Sequence, residues 1–192
     1  MTSIVIAEDE AIIRLDLREL LEEEGYSVVG EAGRGDQAVE LVRNLRPDVV
    51  ILDVKMPGMD GIEAARRISS EAICAVLMLT AFSQREVVEQ ARDAGALAYL
   101  VKPFQKNDLV PAIELAIARF SETKALAAEV SELTERLEVR KVIDRAKGML
   151  IDAHGLKEAD AFAFIQKTAM AKRVSMRAIA ESVLKGETVP SS

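Results

Sequence analysis

With 192 residues, 49% of them hydrophobic, the chain can bury one large core or two small ones. Its formal charge of −7 is uneven: residues 1–120 hold 13 basic against 21 acidic side chains, while residues 140–177 hold 9 against 4, so an acidic module precedes a locally basic one suited to a polyanion. The lone Cys74 excludes an internal disulfide, no apolar run reaches membrane-spanning length, and the start MTSIVIAEDEA lacks the basic and apolar regions of a signal peptide, so a cytoplasmic location with no membrane partner is expected.

Along the first 120 residues two periods alternate. Short apolar runs at Ile4–Ala7, Ser27–Glu31, Val49–Leu52, Ala75–Leu79 and Ala98–Val101 predict five strands. Helical spacing between them predicts helices over Ala11–Glu24, stopping at Gly25, over Asp36–Leu45, and over Arg85–Ala94, stopping at Gly95. Asn107-Asp108 is read as the cap of a last helix through Leu109, Ile113, Ala116 and Phe120, with Pro111 in its first turn. Strand–helix alternation with continuously apolar strands implies a doubly wound, flavodoxin-like α/β fold: a five-stranded parallel sheet covered on both faces. Ligands then bind beyond the carboxyl ends of the strands.

Those ends carry the chemistry. The first strand delivers Glu8 and Asp9, the third Asp53, the fourth Thr80 and the fifth Lys102. Three clustered carboxylates repel one another and call for a divalent cation, and Mg2+ suits carboxylate oxygens and phosphate together. A carboxylate can itself accept a phosphoryl group, a transfer that needs mainly positioning and charge neutralisation. The Lys102-Pro103 bond is a candidate cis peptide. Cys74, just before the fourth strand, reads as a small buried residue.

Residues 1–120 resemble the receiver domain of two-component response regulators, on the acidic pair of IAEDE, Asp53 in ILDVKMPGMDG, Thr80 in LTA and Lys102 in VKPF. The resemblance implies that a sensor histidine kinase phosphorylates Asp53. It implies that Asp9, Asp53 and the Lys55 carbonyl bind Mg2+ directly with Glu8 acting through water, and that Thr80 and Tyr99 form a switch pair. Glu8 stands where many relatives carry Asp. Phe82, two residues past Thr80, is expected to crowd water from the phosphoryl group and lengthen its lifetime.

Residues 121–138 are polar and helix-favouring, with Leu126, Val130, Leu133 and Leu137 at heptad-like spacing. They read either as a short coiled coil, giving a homodimer on phosphorylation, or as a connector whose leucines lie on their own domain. Three helices follow within residues 139–186: Val139–Ala153, ending at His154 and Gly155; residues 158–171, with Ala161, Phe162, Ile165 and Ala169 as the buried stripe and Phe164 off it; and one capped by Ser175. Lys157 is a poor cap for the second.

The stretch RKVIDRAKGMLIDAHGLKEADAFAFIQKTAMAKRVSMRAIAESVL resembles the ANTAR domain, an RNA-binding antitermination module, through Arg140, Ile143, Ala146-Lys147-Gly148, Leu150, Ala161-Phe162, Ala169-Met170 and Arg173. That resemblance implies binding of RNA hairpins, with Lys147 and Arg173 first among the contacts and Arg140 and Arg145 beside them. The whole chain then reads as a phosphorylation-dependent antitermination regulator whose only reaction is phosphoryl transfer to and hydrolysis from its own Asp53. Two rivals stand beside it: a DNA-binding regulator with a helix-turn-helix output, for which the last helix offers only Arg177 as a basic contact, and a protein-docking switch.

Overall fold

The computed structural model describes residues 1–81 and 85–189, and Phe82 therefore lies outside the described residues. Five strands form one parallel sheet: β1 (Ser3–Ala7), β2 (Ser27–Ala32), β3 (Val49–Asp53), β4 (Ala75–Thr80) and β5 (Ala98–Val101), in the order β2-β1-β3-β4-β5. The helices between them are α1 (Ala11–Glu23), α2 (Gly35–Leu45), α3 (Gly61–Ser70) and α4 (Arg85–Asp93). Successive strand residues point to opposite faces, so each strand feeds two cores. Val5, Ala7, Val50, Leu52, Val76 and Met78 pack with Ala38 and Val42 of α2, Ala64, Ala65 and Ile68 of α3, and Ala91 of α4. Ile4, Ile6, Ile51, Leu77 and Leu79 pack with Leu17 and Leu21 of α1 and with Leu109, Ile113 and Ala116 of the next helix. This is the expected doubly wound architecture. Cys74 is buried at the start of β4, and burial pushes its thiol up to about 12.

Three local expectations need correcting. Helix α3 was not read from the sequence, although its signal is present: Asp60 caps it by accepting the Glu63 N–H at 2.8 Å. The helix after β5, α5 (Lys106–His154), is one continuous helix of 49 residues, without a break near residue 121 or 139. It starts earlier than expected: Asp108 lies within it and accepts the Gln105 N–H at 3.1 Å, and Pro111 falls in the second turn. No Gly interrupts the helix-favouring stretch that carries α5 through residues 121–138, and the Glu132–Arg136 pair one turn apart adds to its helix propensity.

Two compact units divide between Ala125 and Leu126. In the second, Leu126, Val130, Leu133 and Leu137 are 51–62% exposed rather than laid on their own unit. The C-terminal part of α5 supplies Ala146 and Leu150 to a small core completed by Ala161, Ile165 and Ala169 of α6 (Glu158–Lys172) and Ile179, Ala180 and Val183 of α7 (Met176–Leu184). Gly155 ends α5 with φ +64° while its N–H donates to the Ile151 carbonyl. Lys157 makes no side-chain cap, whereas the Ser175 hydroxyl accepts the Ala178 N–H at 3.2 Å.

The two phenylalanines of α6 exchange roles. Phe164 is partly buried against the small core, and Phe162 is 41% exposed. The stripe runs through residues 161, 164, 165, 168 and 169, a helical repeat that puts residue 162 beyond its edge.

Candidate functional site

At the carboxyl end of β1, the Glu8 N–H donates to the Ala32 carbonyl at 3.0 Å and its side chain turns inward, fully buried. At the end of β3, Asp53 is 5% exposed and sits in register with Leu79. On β4 next door, Thr80 is buried, and its carbonyl accepts the Lys102 N–H at 2.8 Å just past β5. The Lys102-Pro103 peptide is cis.

Sheet topology thus brings four strand ends to one point. The Lys102 ammonium lies 2.6 Å from Glu8 Oε2 and 2.9 Å from Asp53 Oδ1. The other Asp53 oxygen, Oδ2, accepts the Lys55 N–H at 3.0 Å, and Glu8 Oε1 accepts the Glu10 N–H at 3.2 Å. Oxygens of Glu8, Asp9 and Asp53 all lie within 4.8 Å of one another, with Asp9 the exposed member. A cleft of about 180 Å³ opens over this cluster, lined by Asp9, Asp53, Lys55, Thr80 and Lys102. Tyr99, half exposed on β5, lies outside that cleft.

Electrostatics follow from burial. Desolvation holds the Glu8 carboxyl above the usual range, and the neighbouring Asp53 charge adds to it, against the Lys102 hydrogen bond. For Lys102, burial favours the neutral amine, but hydrogen bonds to Glu8 and Asp53 outweigh it and raise the ammonium's pKa. The three carboxylates offer hard oxygen ligands in the number Mg2+ can share with water, so the donor set fits that ion.

Two supporting residues were not read from the sequence. The Arg14 guanidinium donates to the Glu8 carbonyl and lies 3.4 Å from Glu31, tying the loop that carries Glu8 and Asp9 to β2. Arg14 carries no sequence signal for this, since a cation among the polar positions of α1 reads as surface. Gly61 donates its N–H to the Val54 carbonyl at 3.0 Å, and a Cβ there would sit 1.9 Å from the Asp53 carbonyl oxygen. Only a glycine lets α3 begin against the backbone of Asp53. The Asp-Gly step, a helix cap followed by the first helical residue, was its signal.

In the second unit the cations divide into two sets. Lys147 is only 17% exposed and bridges Asp144 at 2.8 Å and Glu158 at 3.0 Å, linking α5 to α6. Arg140 faces Asp144 at 3.9 Å, Lys141 pairs with Glu138, and Arg177 pairs with Glu181. Arg145, Lys157, Lys167, Lys172 and Arg173 have no carboxylate partner among the described residues. The chain shows no helix long and apolar enough to cross a membrane among the described residues.

Comparison with known proteins agrees with both halves. Residues 4–114 match the response regulator receiver domain, and residues 131–184 match the ANTAR domain. The chain is 60% identical over 181 residues to the transcriptional regulatory protein PdtaR of Mycobacterium tuberculosis, covering 94% of this chain and 88% of that protein. Among solved structures, the receiver domain of the response regulator NarL from the same organism aligns at TM-score 0.59 and 33% identity, over 61% of this chain and 96% of that one. The CheY of Borrelia burgdorferi, solved with CheX, BeF3 and Mg2+, aligns at TM-score 0.56 and 25% identity, over 58% of this chain and 86% of that one.

Proposed function

The chain belongs to the two-component response regulators that join a receiver domain to an ANTAR domain, and on that premise we propose that Asp53 accepts a phosphoryl group from a sensor histidine kinase. The supporting observation is the double hold on its carboxylate, with Lys102 at one oxygen and the Lys55 N–H at the other, inside a cluster of three acids. An Asp53 oxygen attacks the phosphorus of the phosphohistidine, the P–N bond breaks, and the imidazole leaves. Water later attacks the same phosphorus and restores the carboxylate. No other reaction is assigned to the chain.

Asp9, Asp53 and the Lys55 carbonyl would hold Mg2+, with Glu8 acting through water. Bound there, Mg2+ supplies the charge neutralisation that phosphoryl transfer needs. The buried Glu8 side chain, already engaged by Lys102 and the Glu10 N–H, supports that indirect role. Lys102 orients Asp53 and meets the phosphoryl charge. Thr80, buried at the cleft, and Tyr99, half exposed beyond it, act as the switch pair.

The output is an RNA-binding antiterminator, the function that the receiver and ANTAR pairing carries. Phosphorylation shifts an existing equilibrium toward a state that binds RNA hairpins, with dimerisation along the exposed Leu126–Leu137 seam. We assign Arg145 and Arg173 to RNA contacts, and Arg140 and Lys147 to contacts made by exchanging a carboxylate for a phosphate. The cytoplasm, where kinase and transcript meet, is the proposed location.

The test is binding of the full chain to RNA hairpins and matched duplex DNA, with and without a small acyl-phosphate donor and Mg2+. Hairpin affinity should rise by about 5- to 150-fold with the donor and show no rise in Asp53→Ala. A rise that persists in Asp53→Ala, or binding to DNA alone, would overturn the reading.

A further inference from the structure

Helix α6 keeps an apolar side chain where its core does not need one. Phe162, Gln166 and Met170 stand four residues apart on one face, with Arg173 at the helix's C-terminal cap. All four are exposed: Phe162 by 41% and Met170 by 74%, while the core stripe lies on another side of the helix.

Charge identifies what this face fits. Its cation is a spare one: Arg173 has no carboxylate partner among the described residues, and neither has Lys167 on the flank, whereas Lys147, Lys141 and Arg177 are each committed to one or two. The acids of α6 lie in its first turn: Glu158, one turn before Phe162 on the same face, is committed to Lys147, and both it and Asp160 are distant along the helix from Met170 and Arg173. An exposed ring and thioether in one row, with an unpaired cation at its end, suit an unstacked nucleobase and a nearby phosphate, the form that bases take in a hairpin loop.

We propose that the outward face of α6 is the loop-binding subsite of the output module, with Phe162 stacking on an unpaired base, Met170 further along the same row, and Arg173 meeting a nearby phosphate. This rests on the RNA-binding reading above and adds Phe162 on α6 as the base contact.

The full chain, with acyl-phosphate donor and Mg2+, is titrated into hairpin RNAs of fixed stem and randomised loop. The tightest binder is then remade with 2-aminopurine at each loop position. Phe162→Ala should weaken binding by about tenfold or more and abolish the stacking change in 2-aminopurine fluorescence at one position. Phe162→Tyr should retain both. Arg173 holds φ 54°, so Arg173→Gly relieves a left-handed backbone. It should raise the Tm while weakening hairpin binding and lowering the salt dependence by about one phosphate contact.

If the native chain binds a hairpin and Phe162→Ala binds it equally well with folded circular dichroism, the subsite is elsewhere. If Phe162→Ala or Met170→Gln instead changes the sedimentation mass with unaltered hairpin affinity, the face is a protein interface. If the native chain binds no hairpin, the RNA reading and this inference both fail.

Discussion

Two lysines in this molecule make nearly the same contacts and do different physical work. Lys102 bridges Glu8 and Asp53 at 2.6 and 2.9 Å, and Lys147 bridges Asp144 and Glu158 at 2.8 and 3.0 Å. The ammonium groups are similarly covered, at 13% and 17% side-chain exposure, but their carboxylates are not: Glu8 and Asp53 are 0% and 7% exposed, Asp144 and Glu158 52% and 77%. In the first bridge the charges have lost their water and cannot spare one another. In the second, water screens each charge and any partner can be exchanged. Distance alone does not tell a site from a strut.

The largest effect that this contrast forecasts comes from Lys102→Met. It leaves two desolvated carboxylates face to face, and should cost about 3 kcal/mol of unfolding free energy in metal-free urea denaturation. Millimolar Mg2+ should recover part of that loss. An unchanged midpoint without metal would remove the buried bridge from the comparison.

Gly61→Ala comes next. The added Cβ must displace backbone at Asp53, at a cost of about 1–3 kcal/mol, and phosphorylation from the acyl-phosphate donor should slow on a phosphate-affinity gel. Normal phosphorylation in a destabilised protein would separate the scaffold from the chemistry.

A third, smaller effect appears only at high pH. Burial, with the hydrogen bond to Glu114, raises the Tyr26 hydroxyl from its usual 10 to about 12. The folded state therefore holds this proton after the unfolded chain has lost it, so the contribution is complete below pH 10 and fades between 10 and 12. Tyr26→Phe should make the fall in stability across that window shallower by roughly 1.4 kcal/mol per pH unit. An identical fall in both proteins would mean the hydroxyl is hydrated.

Smallest of all, Lys147→Met should leave the urea midpoint close to that of the native chain. A shift matching that of Lys102→Met would erase the distinction between the bridges.

The same contrast explains what could be read from the sequence. Parallel strands put their carboxyl ends together, so Glu8, Asp53, Thr80 and Lys102 could be placed at one edge from hydrophobic runs alone. The Asp60–Glu63 cap of α3 was legible and passed over, because Ala64, Ala65 and Ile68 make a short, weak stripe. The continuity of α5 was hidden, since the short heptad-like run of Leu126–Leu137 does not tell whether the helices before and after it join. In the output module, sequence identified the cations but not their partners, and partnership separates Lys147 from Arg173. Phe162 and Phe164 differ by two positions on one helix, and only the side on which the small core closes tells which is buried.

The buried thiol at the head of β4 has a practical consequence. With its pKa near 12, only on the order of one Cys74 in 10⁵ is ionised at pH 7, and its sulfur is shut away from solvent. For alkylating chemistry the native chain behaves as though it had no cysteine. A single cysteine introduced at Tyr99 or Met170 would then be the one site that takes a dye, and labelling could follow the receiver and the output face separately through one cycle of phosphorylation.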